Sequence, residues 1–193
     1  MALPTLTVVS GPPGSGKTTL AHRLARELGH PAIIRDEIKQ GMADAAGDRG
    51  PDAGAALNLP VLKVFFDVLG LLTRAGVSVV AEAAFQDRVW RPNLQPLIGL
   101  ARIRVIRCVV DAALAGERIA RRAASDAHRA AHADHDLLKA IAAGERDLAA
   151  FGWISMDLPA LTVDTTGGYD PPLPDIVAFA AARAAPREPG SPT

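Results

Sequence analysis

The chain has 193 residues, 49% of them apolar, with Lys plus Arg and Asp plus Glu both at 21. That much apolar chain can bury one substantial core, and the composition excludes a disordered, collagen-like or disulfide-built protein. A formal net charge of zero excludes a global basic field of the kind that dominates nucleic-acid binding. It leaves room for a local patch and favours a small-molecule partner.

The first predicted element is a strand over 5–9, where Leu6, Val8 and Val9 form a short buried run. No charged leader with an apolar core precedes it, and no apolar run is long enough to span a membrane. These features predict a cytoplasmic protein with no membrane partner. The strand opens into Gly11-Pro12-Pro13-Gly14-Ser15-Gly16-Lys17-Thr18-Thr19, the G-x-x-x-x-G-K-T spacing of a phosphate-binding loop. Its glycines let successive backbone amides turn inward around a β-phosphate. Lys17 is expected to reach the β- and γ-phosphates and to face ligand and solvent rather than core. Thr18 sits in the first turn of the next helix, where its hydroxyl can ligand Mg²⁺ and the free amides attract an anion. Leu20, Ala21, Leu24, Ala25 and Leu28 then recur at helical spacing, and Gly29 is placed to stop the helix. Residues 11–19 are therefore the predicted nucleotide-binding set. There is no Asn-Lys-x-Asp run to read guanine, which favours ATP.

A second strand is predicted over 31–35, ending in Asp36 at the mouth of the sheet. In open α/β sheets ligands bind beyond the carboxyl ends of the strands, so Asp36 should share a crevice with the phosphate loop. There it could orient an acceptor hydroxyl and take its proton, or it could cap the helix that starts at Glu37. Glu37 reads either as an acceptor contact or as a favourable charge in a first helical turn. Residues 43–54 are small, polar and rich in breakers, so they are expected to form a mobile loop over the site. A helix over about 55–75 follows, with Leu57, Val61, Val64, Phe65, Val68, Leu69 and Leu72 on a wide apolar face. The third strand, 77–82, ends in Glu82. This carboxylate could hold Mg²⁺ directly or through its water shell, or simply bond a neighbouring turn. Phe85 and Trp90 line an acceptor pocket or pack the core.

The fourth strand, 103–110, contains Cys108, the single cysteine. It reads as a packed thiol, which fits a reducing compartment and no disulfide framework. Arg118 and Arg122 lie four apart on the following helix and share a face, whether over the site or in solvent, and Arg121 is the most surface-directed of the three. His128, His132 and His135 are better explained as part of a charged segment than as zinc ligands, since no Cys and no catalytic Glu motif accompany them. The last strand, 160–164, opens into Asp164-Thr165-Thr166-Gly167-Gly168, and the tail over 186–193 lacks the apolar content to pack. Strands alternating with helices predict an α/β fold: a five-stranded, mostly parallel sheet with helices on both faces, in a single domain over 1–185. Its oligomeric state is left open.

The phosphate loop followed by strand-Arg35-Asp36-Glu37-Ile38-Lys39-Gln40 resembles the ATP-binding, kinase-like AAA family of P-loop NTPases. That family includes relatives of polynucleotide 5′-kinase, antibiotic phosphotransferases and zeta-toxin-like kinases. Bacteriophage polynucleotide kinases carry a similar Arg-Asp-Asp-x-Arg-Gln run, in which the first Asp is the base and the later basic residue meets the acceptor's phosphate. The resemblance implies base for Asp36 and acceptor contact for Lys39, although Lys lacks the planar fork of Arg. The strand ending in Glu82 resembles a Walker B strand with Glu for Asp. The segment over about 112–136 resembles a helical lid, which implies that Arg118 and Arg122 bring positive charge to the transferring phosphoryl and that Arg129 lies near the acceptor. The loop after the last strand lies beside the adenine in that family, which implies base contacts from Asp164 or Thr165, although a plain turn fits as well. The expected activity is transfer of the ATP γ-phosphoryl, with Mg²⁺, to a hydroxyl of a small acceptor. A polynucleotide 5′-hydroxyl kinase and an ATPase switch without acceptor are the alternatives, the former weakened by 4% aromatic content for stacking bases.

Overall fold

The computed structural model describes residues 2–47, 51–125, 138–139, 143 and 150–182. Five strands, β1 (Thr5–Ser10), β2 (Ala32–Ile34), β3 (Val79–Ala83), β4 (Arg102–Val109) and β5 (Ala160–Asp164), pair in the order β2-β3-β1-β4-β5. All four pairings are parallel. Alternation along the strands divides the core in two. Leu6 and Val8 of β1, with Val79, Ala81, Ile103 and Val105, face Phe65, Leu69, Trp90 and Leu94. On the opposite side Val9, Val80, Ile106, Cys108 and Val163 face Leu20, Leu24 and Ile176. The first cluster is covered by α4 (Asn58–Arg74) and α5 (Asp87–Leu94), the second by α1 (Lys17–Leu28) and α7 (Leu173–Ala181). The α/β P-loop architecture with helices on both faces is thus present, and every strand is within two residues of its predicted bounds.

α1 stops where expected: Gly29 takes φ 66° and its N–H bonds the carbonyls of Ala25 and Arg26. The next stretch departs from expectation. β2 ends at Ile34, and α2 (Arg35–Ala46) starts at once. Asp36 is therefore in a helical first turn rather than on a strand end, and it does not cap the helix, because Ile34 holds the N-cap position with no side-chain cap bond. The expected loop over 43–54 is largely helical. Residues 43–46 are the last turn of α2, closed by Gly47 at φ 69°, and α3 spans Pro51–Ala56. The physical reason is the alanine content of the stretch, whose helix propensity outweighs its small polar residues, together with Pro51 at a first helical position. Residues 48–50 lie outside the described ones. α4 buries Val61, Phe65 and Leu69, while Val64 is exposed, so its buried face is narrower than the sequence suggests.

Of the expected lid, 112–125 form the helix α6 (Ala112–Ser125). Its remainder, with Arg129 and the three histidines, and the 186–193 tail lie outside the described residues. Among the described residues, no helix is long and apolar enough to cross a membrane.

Candidate functional site

The site begins where β1 ends. The chain leaves the sheet at Ser10 and turns through the glycine loop into α1, which opens at Gly16 with no side-chain cap bond. The first amides of α1 are therefore left for an anion. Two neighbours press on the loop. A Cβ at Gly11 would stand 2.5 Å from the Cys108 carbonyl oxygen, and one at Gly14 would stand 2.6 Å from that of Ala115 on α6. Gly14 also has φ +79°, so only glycine fits there without strain. Gly14→Ala is expected to cost about 2–4 kcal/mol from overpacking and left-handed backbone together, lowering the melting temperature by several degrees and weakening ATP binding. Unchanged values in calorimetry and nucleotide titration would remove this packing constraint.

Lys17 is buried rather than solvent-facing, at 8% exposure. Its Nζ lies 3.9 Å from Glu82 Oε1 and 3.5 Å from the Pro12 carbonyl oxygen. Glu82 belongs to β3, in register with Val9 of β1 and Ile34 of β2, which sets its carboxylate at the mouth of the loop. Thr18 Oγ1 donates to Glu82 Oε2 at 2.8 Å. Burial pushes the Glu82 pKa up, and the charges of Asp36 and Glu37 push the same way, while Lys17 and the Thr18 hydroxyl oppose them. Asp36 is thus electrostatically in the same crevice as Glu82. Thr18 and Glu82 supply adjacent hard oxygen donors, the set that suits Mg²⁺.

On the acceptor side, Asp36 Oδ1 accepts from Arg35 Nη1 at 3.0 Å. Lys39, one turn further along α2, is buried, and its Nζ donates to Asn58 Oδ1 at 3.2 Å, which also accepts from Arg35 Nη2 at 2.7 Å. Burial lowers the Lys39 pKa and the Arg35 charge adds to that, against the pull of Asp36. Glu37 is turned to α1, 2.6 Å from His22 Nε2. Phe85 is half-buried, its ring 5.5 Å from that of Trp90 and 5.8 Å from the Arg35 guanidinium. Trp90 is wholly buried and donates to Ser10 Oγ at 3.2 Å. It is core, not pocket wall, because its large ring fills the space under α4 and α5.

On the nucleotide side, a cleft of about 690 Å³ runs from Gly14, Gly16, Lys17, Thr18 and Thr19 past Arg118, Arg121, Arg122 and Thr165 to Arg23, Gly168 and Tyr169. Five cations and no carboxylate line it, which suits a polyanion. Arg118 is tied down: its Nη1 donates to the Gly14 carbonyl at 3.3 Å and to Thr165 Oγ1 at 3.2 Å, its Nη2 to the Thr165 carbonyl at 2.8 Å. It locks α6 to the phosphate loop. Arg122 and Arg121 line the cleft beside it, so Arg121 is not directed away from the site. Thr165 is buried and donates to the Ser15 carbonyl at 2.9 Å. Asp164 is exposed, and its Oδ1 accepts from the Thr166 amide at 2.7 Å. That bond holds its pKa below the usual carboxylate value and fastens its own loop.

Sequence reasoning missed Asn58, Arg23, Gly168 and Tyr169. Arg23 carried a usable signal, since it follows Thr19 by four residues and so continues the loop-facing side of α1. Asn58 and Tyr169 carried none, because only the folded chain brings them to the site.

Residues 6–144 match the AAA domain family. An uncharacterized protein of Mycobacterium tuberculosis is 27% identical over 151 residues, 74% of this chain and 30% of that protein, so the chain spans under a third of the length of the curated relatives it matches. A solved structure of a Chloroflexus aurantiacus protein, provisionally named a kinase, superposes with a TM-score of 0.77 at 26% identity, covering 92% of this chain and 97% of that one. The APS kinase CysC of Mycobacterium tuberculosis, in complex with AMPPNP and APS, superposes at 0.57 with 17% identity, covering 94% and 100%. The chain belongs to the AAA domain family and has the fold of the P-loop kinases.

Proposed function

We propose that this protein is a kinase that transfers the γ-phosphoryl group of ATP to a hydroxyl of a small molecule. The reading rests above all on one juxtaposition: Lys17, Thr18 and Glu82 meet at the phosphate loop, and Asp36 stands beside them on the first turn of α2. The free amides of the loop and of α1, with Lys17, hold the β- and γ-phosphates. The cations lining the cleft offset charge on the triphosphate. Asp36 accepts the proton of the acceptor hydroxyl as its oxygen bonds to the γ-phosphorus. The bond from the γ-phosphorus to the bridging oxygen breaks, and ADP leaves with that electron pair. Arg35 orients the Asp36 carboxylate, and Lys39 and Phe85 border the acceptor's position. Thr18 and Glu82 would hold Mg²⁺, which supplies charge neutralisation at the β- and γ-oxygens when bound.

The deciding experiment is ATP consumption by the intact chain against a panel of hydroxyl acceptors, including a 5′-hydroxyl oligonucleotide, with products identified by mass. ADP formation that depends on a small acceptor, with one phosphoryl group added to it, is the expected result. Phosphorylated oligonucleotide would instead make it a polynucleotide kinase. ADP with no phosphorylated acceptor would make it an ATPase switch.

A further inference from the structure

The end of the nucleotide cleft furthest along the chain, at Arg23 and Tyr169, plays no part in the chemistry above. The Arg23 guanidinium lies over the Tyr169 ring, 5.7 Å from its centre. Tyr169 is half-buried and packs against the core beneath α1 and α7. The loop that carries it is closed before any ligand arrives. Asp164 and Asp170 exchange backbone hydrogen bonds of 2.8 and 2.9 Å, and Thr165 at the loop's start bonds the Ser15 carbonyl of the phosphate loop. Tyr169 is therefore held in a set relation to the triphosphate site. An aromatic ring paired with a planar, weakly hydrated guanidinium makes a flat amphipathic wall, which favours stacking of a heteroaromatic ring.

We propose that Arg23 and Tyr169 form the wall against which the base of the donor nucleotide stacks, so that they, rather than the Asp164 carboxylate, grip its nucleoside half. The inference builds on the reading of this protein as an ATP-dependent kinase. Pre-positioning by the closed loop lowers the ordering cost of binding.

Tyr169 is the single tyrosine of the chain, so ring-labelled tyrosine reports on it alone in NMR spectra of the full chain. ATP should shift the Tyr169 ring signals through the ring current of the base, whereas inorganic tripolyphosphate, which fills only the phosphate loop, should leave them in place. Arg23→Gln should weaken ATP binding about fivefold or more and leave tripolyphosphate affinity within about twofold by calorimetry. Tyr169→Leu should give the same split, and if that variant does not fold, the NMR result and Arg23→Gln decide. Equal weakening of both ligands would make Arg23 a phosphate contact and overturn the proposal. Ring signals indifferent to ATP in a wild type that binds tripolyphosphate would overturn it too. A wild type that binds neither ligand removes the donor reading itself, and this inference with it.

Discussion

Replacing Lys17 with Ala is expected to abolish productive binding of Mg·ATP and to lower turnover by three orders of magnitude or more, on the scale of losing a charge aimed at the transferring phosphoryl. The side chain threads through the loop to a point 3.9 Å from Glu82 Oε1, and the amide cradle alone lacks that charge. Saturating ATP should stabilise the wild type by roughly 2–3 kcal/mol at a hundred times Kd, several degrees of melting temperature, and the variant not at all. Because Lys17 is buried, the change also acts on the unliganded fold. It removes the cation that lowers the Glu82 pKa, leaving burial to raise it further. A carboxyl whose folded pKa exceeds its unfolded one binds its proton more tightly in the native state, so it costs stability above the folded pKa. That cost fades as pH falls through the folded value towards the unfolded one near 4.5. The variant's deficit in melting temperature should accordingly narrow on acidification. Equal ATP stabilisation of both proteins would detach Lys17 from the triphosphate.

Asp36→Asn is expected to keep ATP affinity within about twofold while slowing phosphoryl transfer on the order of 10²- to 10⁴-fold, the range of a lost general base. Asn keeps the size of Asp and an oxygen able to accept the 3.0 Å bond from Arg35 Nη1. It does not keep the basicity. The structural contribution at stake is small, since Asp36 makes no cap bond and stands in the first turn of α2, where a carboxylate adds about 0.3–1 kcal/mol through the helix dipole. Binding and turnover must therefore separate. Single-turnover transfer by the Asn variant at the wild-type rate would remove Asp36 as base and turn the reading towards an ATPase switch.

What was legible in the sequence was local. The run from Gly11 to Thr19 places its own chemistry, because covalent spacing alone brings Lys17 and Thr18 to the amides of the turn, and the apolar periodicity from Leu20 to Leu28 predicts α1 with its Gly29 stop. Strand positions were readable for the same reason: a short apolar run between breakers has few other ways to fold. Where local signals conflicted, reading failed. Alanine helix propensity over 43–46 and 51–56 outweighed the breakers, and Asp36 moved from a strand end into a helical turn.

The sequence by itself determined a phosphate loop on a parallel α/β sheet and nominated Asp36, Glu82 and the α6 arginines. Only the tertiary structure decided what those residues touch. Glu82 meets Thr18 because β3 pairs with β1 in a register that sets Val9 opposite Glu82, although 64 positions separate the two residues. Arg118 became the lock between α6, the Gly14 carbonyl and Thr165, and Tyr169 came to lie under Arg23. These contacts join segments far apart in the chain. No local spacing encodes them; they follow from the order and register in which the strands pair and from the helices packed against each face.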